Sequence, residues 1–312
     1  MARSYRQWLA LLVTASAAAH PLSSARANGS QYSSIVVFGD SLSDNVRLVR
    51  ECQHFSCQFT NLDASFNGRF SNGPVWAEYV AANLSIPLYD YAIGGSTTSN
   101  ALVQGATGPK GTIPVPALDE QVMTFIGRTT PQGVAFSADD SKATETPLLV
   151  LFSGANDILS NPNISASQSY QVLVRAEAQL RAAHPKAGVL TISPPDLSRI
   201  PYGFFADNLS KKQLHAYSNS LGDLLRDSGA KAVNVDLRPL FDDFDYYASP
   251  LTYGFDPLGK YGSCLSGRYG QTDNVTVCEN PDRRVYWDEY HPTTHAHSWV
   301  AKKVLDRLCG PF

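Results

Sequence analysis

The sequence predicts an α/β protein in three layers, with a mainly parallel sheet covered by helices on both faces. Two observations carry the prediction. Branched apolar runs of strand length recur along the chain, and helical apolar patterns of ten residues or more fill the intervals between them. Strand, helix, strand, helix in that order needs crossover connections, and these build parallel sheets. A chain of 312 residues with 43% hydrophobic content can bury one large core, and α/β chains of this size are often a single domain.

Taken in order, the first strand is 35-IVVF-38, and Gly39 lets the chain turn sharply at its end. A weaker strand is expected over 86–92, and stronger ones over 147–152, 187–192 and 231–236. Helical patterns cover 74–84, 117–126, 169–184, 210–227 and 293–308. In the fourth, Leu214, Tyr217, Leu221 and Leu224 keep the helical period, and Ser228 with Gly229 supplies the stop. Asn72 and Gly73 turn the chain before Pro74, a residue suited to the first helical position. Two long connections remain, 43–73 and 244–286, and long loops in compact domains are often functional. No internal repeat or low-complexity segment interrupts the series.

Residues 1–27 differ from the rest. Arg3 and Arg6 precede the apolar stretch WLALLVTASAAA, and Ala25-Arg26-Ala27 forms a small-x-small cleavage site, the pattern of a secretory signal peptide. Cleavage after Ala19 is the second candidate. Residues 28–312 then form the mature domain. No later run has the apolar length needed to cross a bilayer, and the C-terminal CGPF lacks the tail of a lipid-anchor signal. A soluble, extracellular protein without integral membrane association is expected. Loss of Arg3, Arg6 and Arg26 takes the formal charge from -3 to -6, and an acidic chain without a basic run is poorly suited to nucleic acid.

Sequons of the Asn-x-Ser/Thr type begin at Asn28, Asn83, Asn163, Asn208 and Asn274, in keeping with a secreted glycoprotein. The cysteines fit an oxidising compartment, and sequence neighbours suggest Cys52 with Cys57 and Cys264 with Cys278, leaving Cys309 over. A bridge closing the 264–278 loop contributes roughly 3 kcal/mol in the chain-entropy model. Their spacing is unlike that of a zinc module.

Four stretches stand out as candidate chemistry: FGDSLSD with Ser41, YAIGGSTT with Gly94 and Gly95, FSGANDI with Asn156, and WDEYHPT with Asp288 and His291. The first three follow predicted strands directly, so they converge on one edge of a parallel sheet, where ligands bind. Ester hydrolysis needs a nucleophile, a base, a group that orients the base, and donors for the oxyanion. Ser41 supplies the hydroxyl, His291 the base, and Asp288, three residues earlier, the orienting carboxylate. Pro292 restricts His291 and suits the first turn of the C-terminal helix. The N–H of Ser41 at a helix start, the N–H of Gly95 and the side-chain amide of Asn156 form a three-donor oxyanion set. The elbow G-x-S-x-G occurs nowhere in the chain, so the nucleophile arises from a different arrangement.

These blocks resemble those of the GDSL, or SGNH, hydrolases. The positions that name that superfamily match Ser41, Gly95, Asn156 and His291, with Asp288 in its D-x-x-H spacing, and the matches run in order over residues 35 to 300. The resemblance implies a flavodoxin-like three-layer sandwich and a serine esterase that needs no cofactor or metal. GRFSNGPVWAEY, YAIGGSTTSN and YWDEYHPTTHAH resemble fungal secreted carbohydrate acetylesterases of the family-16 type, and equally secreted lipase and lecithinase-type relatives. The expected substrate is a small-molecule or oligosaccharide acetyl ester, with longer acyl chains of lipids as the alternative and a non-catalytic glycan-binding relative behind both; a monomer is expected. One departure stands out: Asp90 occupies a position where relatives commonly carry Asn.

Plainer roles compete for several of these residues. Ser41 alone suits a helix N-cap, and Asn156 and Asp157 suit a turn, a role expected for Asp157. Gly94 is expected to serve the turn only. His291 and His295 have an i, i+4 metal-site spacing, but no HExxH is present and Pro292 falls between them; His295 and His297 are expected as partly exposed helix residues. Asp40 and Asp44 flank the serine as a weak candidate for a two-carboxylate site. Trp76 either lines the cleft or packs in the core, and Phe55, Phe59, Tyr253 and Phe255 either line a groove or cover the core.

Overall fold

Five strands form one parallel sheet in the order β2-β1-β3-β4-β5: β1 Ser34–Gly39, β2 Leu88–Asp90, β3 Pro147–Phe152, β4 Gly188–Ser193 and β5 Val233–Asp236. This computed structural model describes residues 31–45, 66–108, 111–129, 145–227, 232–245, 247–257, 259, 261–266 and 275–309. Residues 1–27, expected as a signal peptide, and Asn28, Asn274, Cys52, Cys57, Phe55, Phe59 and the expected Ser228-Gly229 stop lie outside these residues.

β1 and β3 pair along their whole lengths, Ser34 against Pro147 through Gly39 against Phe152. Both strands are buried at every position. That is why they read as unbroken apolar runs without alternation. Gly39 is required by packing: a Cβ there would stand 2.2 Å from the Phe152 carbonyl oxygen. The expected strand over 86–92 shrinks to three residues, because only Leu88–Asp90 pairs with β1.

Helices α1 Trp76–Leu84, α2 Leu118–Thr129, α4 Ala166–Ala183, α6 Asn208–Asp227 and α8 Thr294–Cys309 match the expected patterns in kind. α1 packs on α8, while α2 packs on α4 and α4 on α6, giving two helical layers around the sheet. Three short helices add to the expected set: α3 Ala155–Ser160, α5 Pro201–Phe205 and α7 Arg238–Asp243. Pro74 does not open α1; the helix begins two residues later, where the Glu78 carboxylate accepts the Val75 N–H at 2.9 Å. Pro292 likewise precedes α8 and forms an isolated bridge with Tyr286.

Cys264 and Cys278 are bonded, with Cα atoms 4.9 Å apart, as expected, and Cys309 is an exposed thiol. The bridge crosses a short hairpin of Leu265–Ser266 and Thr276–Val277. Trp76 is fully buried, and so is Phe255; both belong to the core, and Tyr253 packs beside them against Phe244 and Trp299. Asn83, Asn163 and Asn208 are exposed, the accessibility a glycan requires. Among the described residues no helix is long and apolar enough to cross a membrane.

Candidate active site

Ser41 lies two residues past β1, the strand between β2 and β3 in the sheet. An open sheet whose order runs 2-1-3-4-5 changes direction between β1 and β3, and the crevice beyond that point is a natural ligand site. The helix start expected at Ser41 is a single turn: the N–H groups of Ser43 and Asp44 both donate to the Asp40 carbonyl at 3.0 Å. The Asp40 carboxylate accepts the Leu42 N–H at 3.0 Å.

Three loops meet here, and hydrogen bonds tie them together. Asp44 at the end of the serine turn accepts the Gly94 N–H at 2.8 Å. Gly95 has φ of 85°, a left-handed conformation that costs glycine little, and a Cβ there would meet the Ala106 carbonyl oxygen at 2.0 Å. From the loop after β3, Asn156 donates its amide to the Ser96 carbonyl at 2.9 Å. An amide nitrogen carries two hydrogens, so the second remains for a ligand. The N–H groups of Ser41 and Gly95 take no acceptor among the described residues.

Asp157 departs from the turn role expected of it. It sits in the first turn of α3, buried, and accepts the Thr98 N–H at 2.8 Å, the Thr98 hydroxyl at 2.7 Å and the Ser169 hydroxyl at 2.6 Å. The Tyr217 hydroxyl extends the network to Ser169 and to the Gly154 carbonyl. This carboxylate therefore fixes the loop of Asn156 to the loop of Gly95. Gln121 on α2 does similar work: its side chain accepts the Gly39 N–H and donates to the Gly39 carbonyl and the Ser96 hydroxyl, each at 2.9 Å. Nothing in the local sequence marked Gln121, because its partners are 82 and 25 positions away.

The remaining two residues arrive from the C-terminus. His291 Nε2 stands 2.7 Å from Ser41 Oγ, and its Nδ1 stands 2.7 Å from Asp288 Oδ2. An ionised carboxylate only accepts, so Nδ1 carries the proton and Nε2 is left to accept from the serine hydroxyl. Asp288 Oδ1 also accepts the N–H groups of Tyr290 and His291, both at 2.7 Å, which closes the turn onto the carboxylate. Ser41, Asp288 and His291 are thus brought into one hydrogen-bonded chain.

The turn is braced from outside. Ser71 donates its hydroxyl to the Pro292 carbonyl at 2.9 Å, the Asn72 side chain accepts the Thr294 N–H at 2.8 Å, and Tyr79 meets the Thr294 hydroxyl at 2.7 Å. The Phe70 ring lies 4.9 Å from that of His291. On the other side, Cys264 and Leu265 of the disulfide hairpin donate to the carbonyls of Tyr286 and Trp287, and Trp287 donates to the His291 carbonyl.

Several carboxyls here are held away from their ordinary range. Burial raises Asp40 to about 7 against the pull of the Leu42 N–H and His291, and its Oδ2 has no hydrogen-bond partner, as suits a protonated acid. Burial and then the charge of Asp44 push Asp90 well up. Asp90 uses both oxygens, accepting Ala92 N–H at 3.0 Å and Asn45 N–H at 2.9 Å, a pair of bonds that one amide oxygen would have to share. Burial alone would raise Asp288, but the His291 charge and bond, with the two backbone donors, hold it below its ordinary value. His297 is a correction: it is buried at 2% exposure, and burial followed by the charge of His291 pushes it down to about 3. It is a neutral core residue.

Comparison with known proteins follows the same blocks. The model of the GDSL-like lipase/acylhydrolase family matches residues 35–304. This chain belongs to that family. It is accordingly a carboxylic ester hydrolase. Among its relatives, the thermolabile hemolysin of Vibrio parahaemolyticus is 27% identical over 88% of this chain, which spans 64% of the hemolysin's length. The phosphatidylcholine-sterol acyltransferase of Aeromonas hydrophila is 24% identical over 87% of this chain and 88% of its own. A carbohydrate acetylesterase from Sinorhizobium meliloti is similar with a TM-score of 0.44 at 15% identity, covering 87% of this chain and 98% of its own.

Proposed function

We propose that this protein is a secreted serine esterase that works through an acyl-enzyme on Ser41. One observation carries the reading: the unbroken chain from Ser41 Oγ through His291 to Asp288, 2.7 Å at each link. His291 Nε2 takes the hydroxyl proton as Ser41 attacks the ester carbonyl, and Asp288 stabilises the imidazolium. The Ser41 and Gly95 N–H groups and the free amide hydrogen of Asn156 receive the oxyanion. Collapse of the tetrahedral adduct expels the alcohol with the proton from His291; the same histidine then activates water to release the acid. These steps use side chains and backbone alone. The mature enzyme is a monomeric single domain of residues 28–312, exported after removal of residues 1–27.

The proposed substrates are acetyl esters of carbohydrates. A second reading, longer acyl esters of lipids, is supported by the exposed Tyr290, whose ring is 6.1 Å from that of His291 and 4.9 Å from that of the exposed Tyr202 on α5, and by the name of the Aeromonas relative. The rates of nitrophenyl acetate and nitrophenyl decanoate hydrolysis, with Ser41→Ala as the blank, separate the two. Preference for acetate sustains the first; preference for decanoate replaces it with the second. Serine-independent turnover overturns both.

A further inference from the structure

Among the described residues, large exposed apolar side chains occur close together in sequence on two short stretches, α5 with the first turn of α6 and the turn of His291. On α5 and the first turn of α6, Tyr202, Phe204, Phe205 and Leu209 are 39%, 38%, 74% and 68% exposed. Tyr290 joins them, with its ring 4.9 Å from Tyr202 on one side and 6.1 Å from His291 on the other. Two sets of rings thus start from α5: Tyr202 leads through Tyr290 to His291, and Phe204 touches Phe205 with centroids 5.1 Å apart. Exposed apolar side chains grouped beside a candidate site mark an interaction surface, whereas single ones are ordinary.

The patch is rigidly mounted. The Tyr202 N–H donates to the Glu289 carbonyl at 2.9 Å, which pins α5 to the turn that carries Asp288 and His291. Phe204 stacks on Tyr261 with ring centroids 4.1 Å apart. Beneath them Arg199 pairs with Asp242 and Asp245, and Tyr261 donates to Asp245. Lys211 holds its ammonium 5.2 Å from the centre of the Phe204 ring.

We propose that this shelf docks the protein on a zwitterionic lipid surface and delivers surface-borne esters to Ser41. The inference rests on the esterase reading in its lipid form. Phe205 and Leu209 have no polar tip and are the most exposed of the five, as suits inserting side chains. Nearer the base are two tyrosines, whose apolar rings and polar hydroxyls suit the boundary between lipid and water. Lys211 offers a cation to a phosphate headgroup. The acidic net charge of the chain disfavours an anionic surface, which selects phosphatidylcholine-like headgroups. A sugar ring would use the tyrosines and leave Phe205 and Leu209 unexplained.

The test is cosedimentation of the secreted full-length Ser41→Ala protein with phosphatidylcholine vesicles. The protein should pellet with vesicles, and adding Phe205→Ser with Leu209→Ser should weaken binding by about tenfold or more. The same double substitution in the Ser41 protein should hydrolyse soluble nitrophenyl acetate at the wild-type rate, which shows that it folds. No binding, or binding indifferent to the double substitution, overturns the shelf while leaving the esterase reading to its own test. Asn208 begins a candidate sequon beside the shelf, so deglycosylated protein is run in parallel. Binding seen only after deglycosylation also overturns the proposal for the secreted protein.

Discussion

Ser41, Gly95 and Asn156 hang from the ends of three adjacent strands, whereas Asp288 and His291 sit on a turn that no strand of the main sheet reaches. The first group inherits its positions from backbone pairing: β1 fixes β2 and β3 on either side, and Asp157, Gln121 and Asp44 lock the loops that follow. The second group is held by its own short-range bonds to the Asp288 carboxylate and by braces from Ser71, Asn72 and the disulfide hairpin. One half of the site is thus a property of the core and the other of the covering loops. Damage to the two halves should show differently.

The largest effect expected is from Ser41→Ala or His291→Ala, each lowering turnover about 10⁶-fold by analogy with other serine hydrolases, with circular dichroism unchanged. Asp288→Asn should cost less, about 10⁴-fold, because the serine and imidazole remain and only the tautomer is lost; wild-type rates in this variant would break the assignment of the dyad. Asn156→Ala should lower kcat about 10²- to 10³-fold with KM little altered. An equal loss in KM would mean that the amide binds ground state and transition state alike.

Replacing Cys264 and Cys278 together by serine separates the halves by another route. The loss of stability should be roughly 3 kcal/mol in the chain-entropy model, read as a lowered urea midpoint. Activity should fade at lower urea than the core melts, because the hairpin supports the dyad and not the sheet. Coincident loss of both signals would show that the halves are one unit. The smallest effect concerns Asp40. Its carboxyl is raised in the folded protein to about 7 from the ordinary 3.8. The folded chain therefore keeps a proton that the unfolded chain gives up over this interval, and stability falls as pH rises through it. Asp40→Asn should flatten that part of the stability profile, measured by urea midpoints across the interval; an unchanged slope would mean that Asp40 is ionised throughout.

The same division governs what the sequence made legible. Strands buried on both faces write themselves as apolar runs, so β1, β3 and β4 could be read directly; β5, only partly buried, shows as the alternation Val233-Asn234-Val235-Asp236, and the candidate blocks could be read because each follows a strand or lies within one short turn. Ala166–Ala183 begins three residues before the expected start because Ser165 and Gln168 form a reciprocal cap, a signal present in the sequence as S-x-x-Q. α3, α5 and α7 are too short to set up a period. The holding groups were hidden for a different reason: Gln121, Asp157 and Ser71 act through partners 59 to 221 positions away, and no local pattern encodes a long-range bond from a side chain to a backbone. His297 reads as an ordinary polar helix residue until α8 is docked and encloses it.

Ser41 and His291 are separated by 250 positions along the chain, so the proposed nucleophile is synthesised long before its proposed base. A chain that ends before the Asp288–His291 turn lacks the imidazole that stands against the Ser41 hydroxyl. Activity therefore reports that the C-terminal helix has docked on α1 and brought the Asp288–His291 turn to the serine.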